Sequence, residues 1–437
     1  MNILSNIPIR SSFFRNVLTI SSGTAISQIL MVIATPILTR LYTPTSFGIL
    51  ALFSSLLAIA VVTSSLRYEV AIPLPKLNKH ASYIVLLALA INTLLSLIIL
   101  IIVPRFSISL ATRFKAPLLA DYLWLLPFGI FFLGIYKIFN FWAIRNRHYF
   151  RIGKSKIIQS LTSITIQVMG GFTGLGALSL IVGRILGHFS GTVSLMYGFK
   201  MRVPFKEKAL LHKIWGMAKR YRNFLKYDVA ASLVNTLNLE MPQIILAIFF
   251  GPMITGYYML VDRVLAVPTT LIGQAVGQVY YGDWKKNLAA GSLLQRTTQI
   301  IKNLTTLMVL PSIVLFIMGK IIFSTLFGVK WAEAGIFASW MIFGAVTQFV
   351  YSPVSLALMA TNGQKTNFII HSGLLFLKVV ASIIGVLLDS PLRTVQMFSL
   401  ANVIGYGVGI SLICQRVKAY SVTVTNNVEE TAEKGFQ

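Results

Sequence analysis

Residues 81–103 read Ala-Ser-Tyr-Ile-Val-Leu-Leu-Ala-Leu-Ala-Ile-Asn-Thr-Leu-Leu-Ser-Leu-Ile-Ile-Leu-Ile-Ile-Val, with no Asp, Glu, Lys or Arg, between Lys79 and Arg105. An α-helix rises 1.5 Å per residue, so about 20 apolar residues cross the hydrocarbon core of a bilayer. This stretch is long enough to do so, and its pattern recurs along the chain. Twelve spanning helices are expected, at 17–38, 46–66, 81–103, 122–142, 157–176, 177–198, 228–250, 256–280, 303–323, 336–357, 368–388 and 394–414. Gly170, Gly171, Gly174 and Gly176 split the long stretch 157–198 by a tight reversal. The composition agrees: 56% of residues are hydrophobic and 11% charged, against about 25% charged in a soluble protein. The fold class is an all-α integral membrane protein.

The formal charge is +26. In a soluble chain that balance points to nucleic acid. Here the basic residues fall in alternate gaps between spans. With the N-terminus in the cytoplasm, 27 Lys and Arg lie on the cytoplasmic face, 7 on the opposite face and 4 within spans. The positive-inside rule then places both termini in the cytoplasm and removes the case for a nucleic-acid partner. Residues Met1–Asn16 lack the apolar core and small-residue cleavage site of a signal peptide and read as a cytoplasmic leader. The single cysteine, Cys414, builds no disulfide framework, and the five histidines show no metal-binding spacing.

The most basic stretch, 199–227, carries nine Lys and Arg at the centre of the chain. It divides the sequence into an N-terminal six-helix lobe (1–198), a cytoplasmic linker, a C-terminal six-helix lobe (228–414) and a cytoplasmic tail (415–437). Six spans return the chain to its starting side, which fits two parallel repeats around a central cavity. A short echo supports the repeat: Pro44 and Gly48 recur as Pro252 and Gly256, each pair between the first two spans of its half. Within the linker, basic residues alternate with Leu210, Leu211, Ile214, Trp215, Met217, Tyr221 and Phe224. That pattern fits an amphipathic helix on the anionic inner leaflet or a purely topological signal.

Charges inside a bilayer cost about 2.5–3.5 kcal/mol each and are retained where partners or water receive them. Arg184 and His188 are four residues apart, hence on one face of the sixth span. Glu240 lies in the seventh, Asp262 and Arg263 in the eighth, and Lys378 in the eleventh. Lys137 sits near the end of its span, where it can snorkel, and receives no role. Two readings stand for the carboxylates: structural pairing with Arg184, Arg263 or Lys378, or a hydrated cationic cavity in which Glu240 and Asp262 bind a coupling ion. A cationic cavity suits an anionic cargo, with arginine favoured for phosphate oxygens. Pro36, Pro242, Pro268 and Pro353 are expected to kink their spans. Gly183, Gly187 and Gly191 form a strip for close helix packing.

Several segments resemble a known family. They are Phe14-Arg15-Asn16-Val17, Ser27-Gln28, Pro36-Ile37-Leu38-Thr39-Arg40-Leu41-Tyr42-Thr43-Pro44 with Phe47-Gly48, and Leu66-Arg67-Tyr68-Glu69-Val70-Ala71-Ile72-Pro73. Gly256-Tyr257-Tyr258-Met259-Leu260 with Arg263, Pro268 and Gly277-Gln278-Val279 joins them. Together they resemble bacterial polysaccharide repeat-unit (O-antigen, Wzx-type) flippases of the multidrug/oligosaccharidyl-lipid/polysaccharide exporter superfamily. The resemblance implies two six-helix lobes and an undecaprenyl-pyrophosphate-linked oligosaccharide as cargo. It further implies a bacterial inner-membrane location, membrane lipids as surroundings, and a polysaccharide polymerase and chain-length regulator as partners. Arg263 matches best; Arg184, Glu240 and Lys378 match in kind.

Two other classes compete. An ion-coupled small-molecule exporter shares the six-plus-six plan, but the turn after the second span lacks the Gly-x-x-x-Asp-Arg pattern of major facilitators. A membrane glycosyltransferase needs a large outer loop or a carboxylate cluster. The largest expected outer loop, 104–121, holds one acid, Asp121. Gly153-Lys154-Ser155 has His148 where a phosphate loop needs its first glycine, so no such loop occurs, and neither a nucleotide cofactor nor an enzyme is expected. The topology carries a direct prediction: reporter fusions at Lys206 and Arg113 should report opposite sides of the membrane. Two periplasmic signals would mean that the topology is wrong.

Overall fold

The computed structural model describes residues 12–197, 209–222, 224–284, 288, 291–361 and 363–434. Residues 1–11 of the expected leader, the linker stretch 199–208 and the last three residues of the tail lie outside them. Among the described residues, eleven helical stretches are long and apolar enough to cross a membrane. The remaining expected span, 157–176, is a helix at Tyr149–Phe172. Arg151, Lys154, Lys156, Gln159 and Gln167 lower its apolarity. The chain divides into two compact units, residues 1–259 and 260–437.

Unit 1 opens with α1 (Ser12–Leu41) and α2 (Pro44–Thr63), followed by a one-turn helix α3 (Tyr68–Ala71) and a long α4 (Asn78–Arg113). A short α5 (Pro117–Ala120) leads into α6 (Leu126–Arg145), α7 (Tyr149–Phe172) and α8 (Ala177–Met196). The amphipathic α9 (Leu210–Arg220), a π-helical turn at Phe224–Asp228, and α10 (Val229–Phe250) follow. Helix α11 (Pro252–Pro268) carries the chain into unit 2. Most of the outer loop expected at 104–121 is helix. Helix α4 runs through Pro104, because an apolar flank of exposed Ile101, Ile102, Phe106 and Ile108 continues past the proline.

Helix α2 is apolar on every face, as a buried helix must be. Two thirds (67%) of its apolar window is buried, against 28% for α4. The Thr43 hydroxyl caps it by accepting from the Ser46 amide at 3.2 Å, with Pro44 in the first turn, where no amide donor is needed. Helix α10 runs antiparallel to α2 and is fastened to it at three levels. At one end Arg67 Nε donates to Asp228 at 2.7 Å. Midway, Ser55 donates to Glu240 at 2.6 Å. At the other end the two halves of the sequence echo meet. A Cβ on Gly48 would collide with the Pro252 carbonyl, and one on Gly256 with the Pro44 carbonyl and, at 2.9 Å, with the Gly48 amide. The repeated Pro and Gly are reciprocal partners in one backbone-to-backbone contact.

The reversal between α7 and α8 is made by Gly174 and Gly176, both at positive φ. The glycine strip of α8 presses on α7. Cβ atoms on Gly183 and Gly187 would approach the Ser163 and Gln159 carbonyls to 3.0 and 2.9 Å. The turn after α2 is held from two sides. Arg67 pairs with buried Glu69 at 3.5 Å and with Asp228, and the Tyr68 hydroxyl donates to the Ala218 carbonyl of α9 at 3.2 Å. Arg145 at the end of α6 closes the following loop. Its guanidinium reaches the carbonyls of Ile72, Pro73, Pro75 and Lys76 at 2.6–3.4 Å and the Asn78 side chain at 3.0 Å.

In unit 2, Pro268 ends α11 and a π-helical turn at Thr269–Gly273 takes the backbone into α12 (Gln274–Gly282). The kink expected at Pro268 falls where the helix changes from α to π. Helices α13 (Leu293–Phe327), α14 (Ala332–Val354), α15 (Leu356–Ala360), α16 (Gln364–Leu387) and α17 (Pro391–Lys434) complete it. The core gathers Tyr280, Leu293, Phe349, Val354, Leu374 and Ile413, with α14 the most enclosed helix at 56%.

The reciprocal glycine contact predicts an overpacking penalty. Gly48→Val and Gly256→Val should each lower stability by about 1–3 kcal/mol. Gly407→Ala, where a Cβ meets nothing within 4 Å, should be neutral or slightly stabilising. Thermal melting in detergent reads the difference. Equal melting of all three variants would show that the crossing tolerates a side chain.

Candidate functional site

Six intramembrane residues are expected to matter, and three of them fall in each unit. In unit 1, α8 carries Arg184 and His188, and α10 carries Glu240. Glu240 lies close enough to Arg184 for their charges to interact. It also accepts from Ser55, whose hydroxyl approaches Gln243 at 3.5 Å. Arg184 is half-buried as a residue, yet its Nε is shut away from solvent and has no hydrogen-bond partner among the described residues. His188 is buried, with Nδ1 bonded to the Gln159 side chain, while its Nε2 is shut away without a partner among the described residues. Lys137 lies within electrostatic range of His188.

The local sequence explains this placement. Gly183 and Gly187 let α8 lie directly on α7, which brings Gln159 up to His188. Gly48 and Gly256 let α2 lie against the turn between α10 and α11, and the same packing of α2 on α10 sets Ser55 opposite Glu240. A carboxylate accepting a charge-assisted hydrogen bond beside a guanidinium is a paired arrangement that an apolar slab tolerates. The unpartnered Arg184 Nε and His188 Nε2 leave donor or acceptor capacity for a polar group.

In unit 2, Asp262 and Lys378 are electrostatic neighbours. Lys378 is buried at 4% exposure, deep enough that it needs such a counter-charge. Tyr351, His371 and Tyr406 lie beside this pair. The rings of Tyr351 and Tyr406 are 5.0 Å apart, and the His371 ring stands edge-on to Tyr351 at 6.3 Å. Arg263 follows Asp262 in α11 and is half-buried. Glu240 with Arg184, and Asp262 with Lys378, are therefore both arranged as opposite charges near one another. Among the described residues no group of three or more His, Cys, Asp or Glu can hold a metal ion.

Sequence reading left out Ser55, Gln159 and Gln243. The adjacent serines Ser54 and Ser55 in the middle of a mostly apolar, largely buried helix were the available signal for Ser55. Lys137, expected to snorkel, is half-buried and lies within electrostatic range of Glu69 and Arg67 as well as of His188.

A family model described as "Polysaccharide biosynthesis protein" matches residues 37–336, more than half of the chain. The chain belongs to this family. Among solved structures it is similar to the lipid II flippase MurJ in an inward closed conformation, at a TM-score of 0.70 and 16% identity over 95% of this chain and 93% of that one. It is also similar to an inward-facing multidrug resistance MATE family transporter of the MOP superfamily, at 0.66 and 15% identity over 91% and 98%. A MOP superfamily transporter from Pyrococcus furiosus matches at 0.58 and 14% identity over 93% and 96%. The fold is that of the MOP superfamily transporters. No curated protein sequence matches.

The unit 1 cluster predicts coupling between Arg184 and Glu240. In a double-mutant cycle of Arg184→Gln and Glu240→Gln, each single change leaves the other charge uncompensated, and the double change relieves it. The interaction energy should be about 0.5–3 kcal/mol, read by thermal or denaturant unfolding in detergent. Additive single changes would separate the two residues energetically.

Proposed function

We propose that this chain is a flippase that moves undecaprenyl-pyrophosphate-linked oligosaccharide repeat units from the inner to the outer leaflet of the bacterial inner membrane, serving O-antigen or another surface polysaccharide. In this reading the two six-helix halves, 1–198 and 228–414, enclose a cationic cavity and alternate between inward and outward access. The linker 199–227 and both termini are cytoplasmic. Arg184, Arg263 and Lys378 hold the pyrophosphate and adjoining sugars, His188 lines the cavity, and Glu240 and Asp262 set the arginine geometry or carry a coupling proton. A polymerase and a chain-length regulator take the product on the outer side.

The observation that carries the reading is Arg184. A chain of the polysaccharide biosynthesis family keeps a guanidinium among apolar helices, with Glu240 nearby and its Nε unpartnered. Arginine recognises phosphate oxygens through a planar fork, and a pyrophosphate oxygen would complete the set of acceptors. The membrane tail of such a cargo never needs to leave the hydrocarbon, so only the polar head has to cross. A second reading, an ion-coupled small-molecule exporter, draws support from the multidrug relatives in fold.

Proteoliposomes containing a labelled lipid-linked oligosaccharide test both. Wild type should accelerate its movement between leaflets, and an imposed pH gradient should accelerate it further. Arg184→Gln removes a charge-assisted contact worth about 1.5–3 kcal/mol and should slow movement about ten- to a hundredfold. Glu240→Gln should fold and insert but lose the response to the gradient. Equal gradient-driven movement by wild type and Glu240→Gln would reduce Glu240 to a structural partner. Transport of soluble cations without the lipid-linked cargo would favour the exporter.

A further inference from the structure

Helix α10 belongs by sequence to the second half of the chain, yet within unit 1 it packs on α2 of the first. This seam is where the two halves touch inside the unit. The end expected in the cytoplasm is fastened by Arg67, whose guanidinium has two carboxylates within reach. Glu69 lies in the same turn of the first half, and Asp228 stands at the start of α10 in the second.

The two partners are unequal. Arg67 Nε donates to Asp228 at 2.7 Å, a short charge-assisted hydrogen bond. Its Nη1 stands 3.5 Å from Glu69, at the limit of hydrogen bonding. Burial runs the other way. The Glu69 side chain is 1% exposed and that of Asp228 37%. A buried carboxylate stripped of its cation is an uncompensated charge, whereas one already reached by water loses little. The shorter bond is therefore the one that can be given up. Glu69 also accepts from the Ser65 hydroxyl and has Lys137 within electrostatic range. Arg67 is thus tied to its own turn through the buried partner and to α10 through the exposed one.

The chain also has a place to bend. Met217, Ala218, Tyr221 and Phe224 pack on the cluster of Tyr68, Ile72, Ile84 and Trp142, so α9 is seated on the first half. Between this seat and α10 lies the π-helical turn Phe224–Asp228, none of whose residues is fully buried. Such turns are rare and occur mostly singly, at functional positions. Asp228 is its last residue. A change in this turn withdraws the Asp228 carboxylate from Arg67 while α9 keeps its seat.

We propose that Arg67 is a partner-exchange latch between the halves. It holds Asp228 while the inner end of the α2–α10 seam is closed, and settles on Glu69 alone when α10 swings away about the π-helical turn. The latch rests on the alternation of the two halves proposed above and not on the identity of the cargo.

The full chain in lipid nanodiscs, with Cys414→Ser as background, tests this by pulsed electron paramagnetic resonance. Spin labels at Lys154 and Ala231 read the inner end, and labels at Leu175 and Met253 the outer end; all four positions are exposed. Wild type should show a narrow and a wide separation at the inner pair. Asp228→Asn should raise the ratio of wide to narrow about two- to fivefold. Glu69→Gln leaves Asp228 as the sole carboxylate and should lower that ratio by about twofold or more. Glu69→Asp draws the same charge back by one methylene, should lower the ratio too, and decides this arm if Glu69→Gln does not fold. The outer pair should widen in none of them. Shifts in the same direction, or two populations unmoved by Asp228→Asn, would overturn the latch and leave the alternation standing. Widening at both pairs would mean a loosened helix pair and would also overturn it. A single separation at both pairs in every protein would overturn the alternation itself.

Discussion

Two glycines that leave no room for side chains set the geometry of unit 1. With Gly48 against the Pro252 carbonyl and Gly256 against that of Pro44, α2 and the turn between α10 and α11 meet backbone to backbone. That closeness sits at one end of a helix pair whose middle carries the Ser55–Glu240 hydrogen bond and whose other end carries Arg67–Asp228. Within an apolar slab, where dispersion packing replaces the hydrophobic drive between helices, small residues are what permit such an approach. Glu240 is tolerable at this depth because the approach delivers a hydroxyl to it and because α8 brings Arg184 near.

The same constraint explains the motif around Arg67. Leu66 and Arg67 both take positive φ, an uncommon backbone for residues with side chains. Arg67 answers with contacts to Glu69 and Asp228, and Tyr68 with one to α9. This segment, which carries part of the family resemblance, is thus occupied in holding the end of α2 to α9 and α10. Strain in the turn is met by charge pairing around it.

Much of this architecture was legible in the sequence, for a physical reason. Hydropathy reports the one requirement that every spanning helix shares, so the expected spans reappear as helices. Gly170–Gly176 marked a reversal because only glycine relieves the two positive-φ positions. The Pro44/Gly48 and Pro252/Gly256 echo was readable as a repeat, but not as a contact, since sequence spacing carries no information on which copies touch. The polar partners were harder. Ser55 and Gln159 are short or neutral side chains whose role arises only from the helix facing them. Helix α4 outran its expected end because Pro104 signals a break only where the following residues do not prefer the membrane.

Arg145 imposes an order of events on assembly. The carbonyls of Ile72, Pro73, Pro75 and Lys76 are made well before the guanidinium that gathers them. At about 5–20 residues per second of synthesis, those groups wait several seconds, through the insertion of the third span, for their donor to arrive. Arg145 stands at that helix's last turn, so its bonds to the loop can form only after the fourth span has been made. One guanidinium thereby makes the closing of an early loop report on the completion of a later helix, a checkpoint written into the timing of the chain's birth.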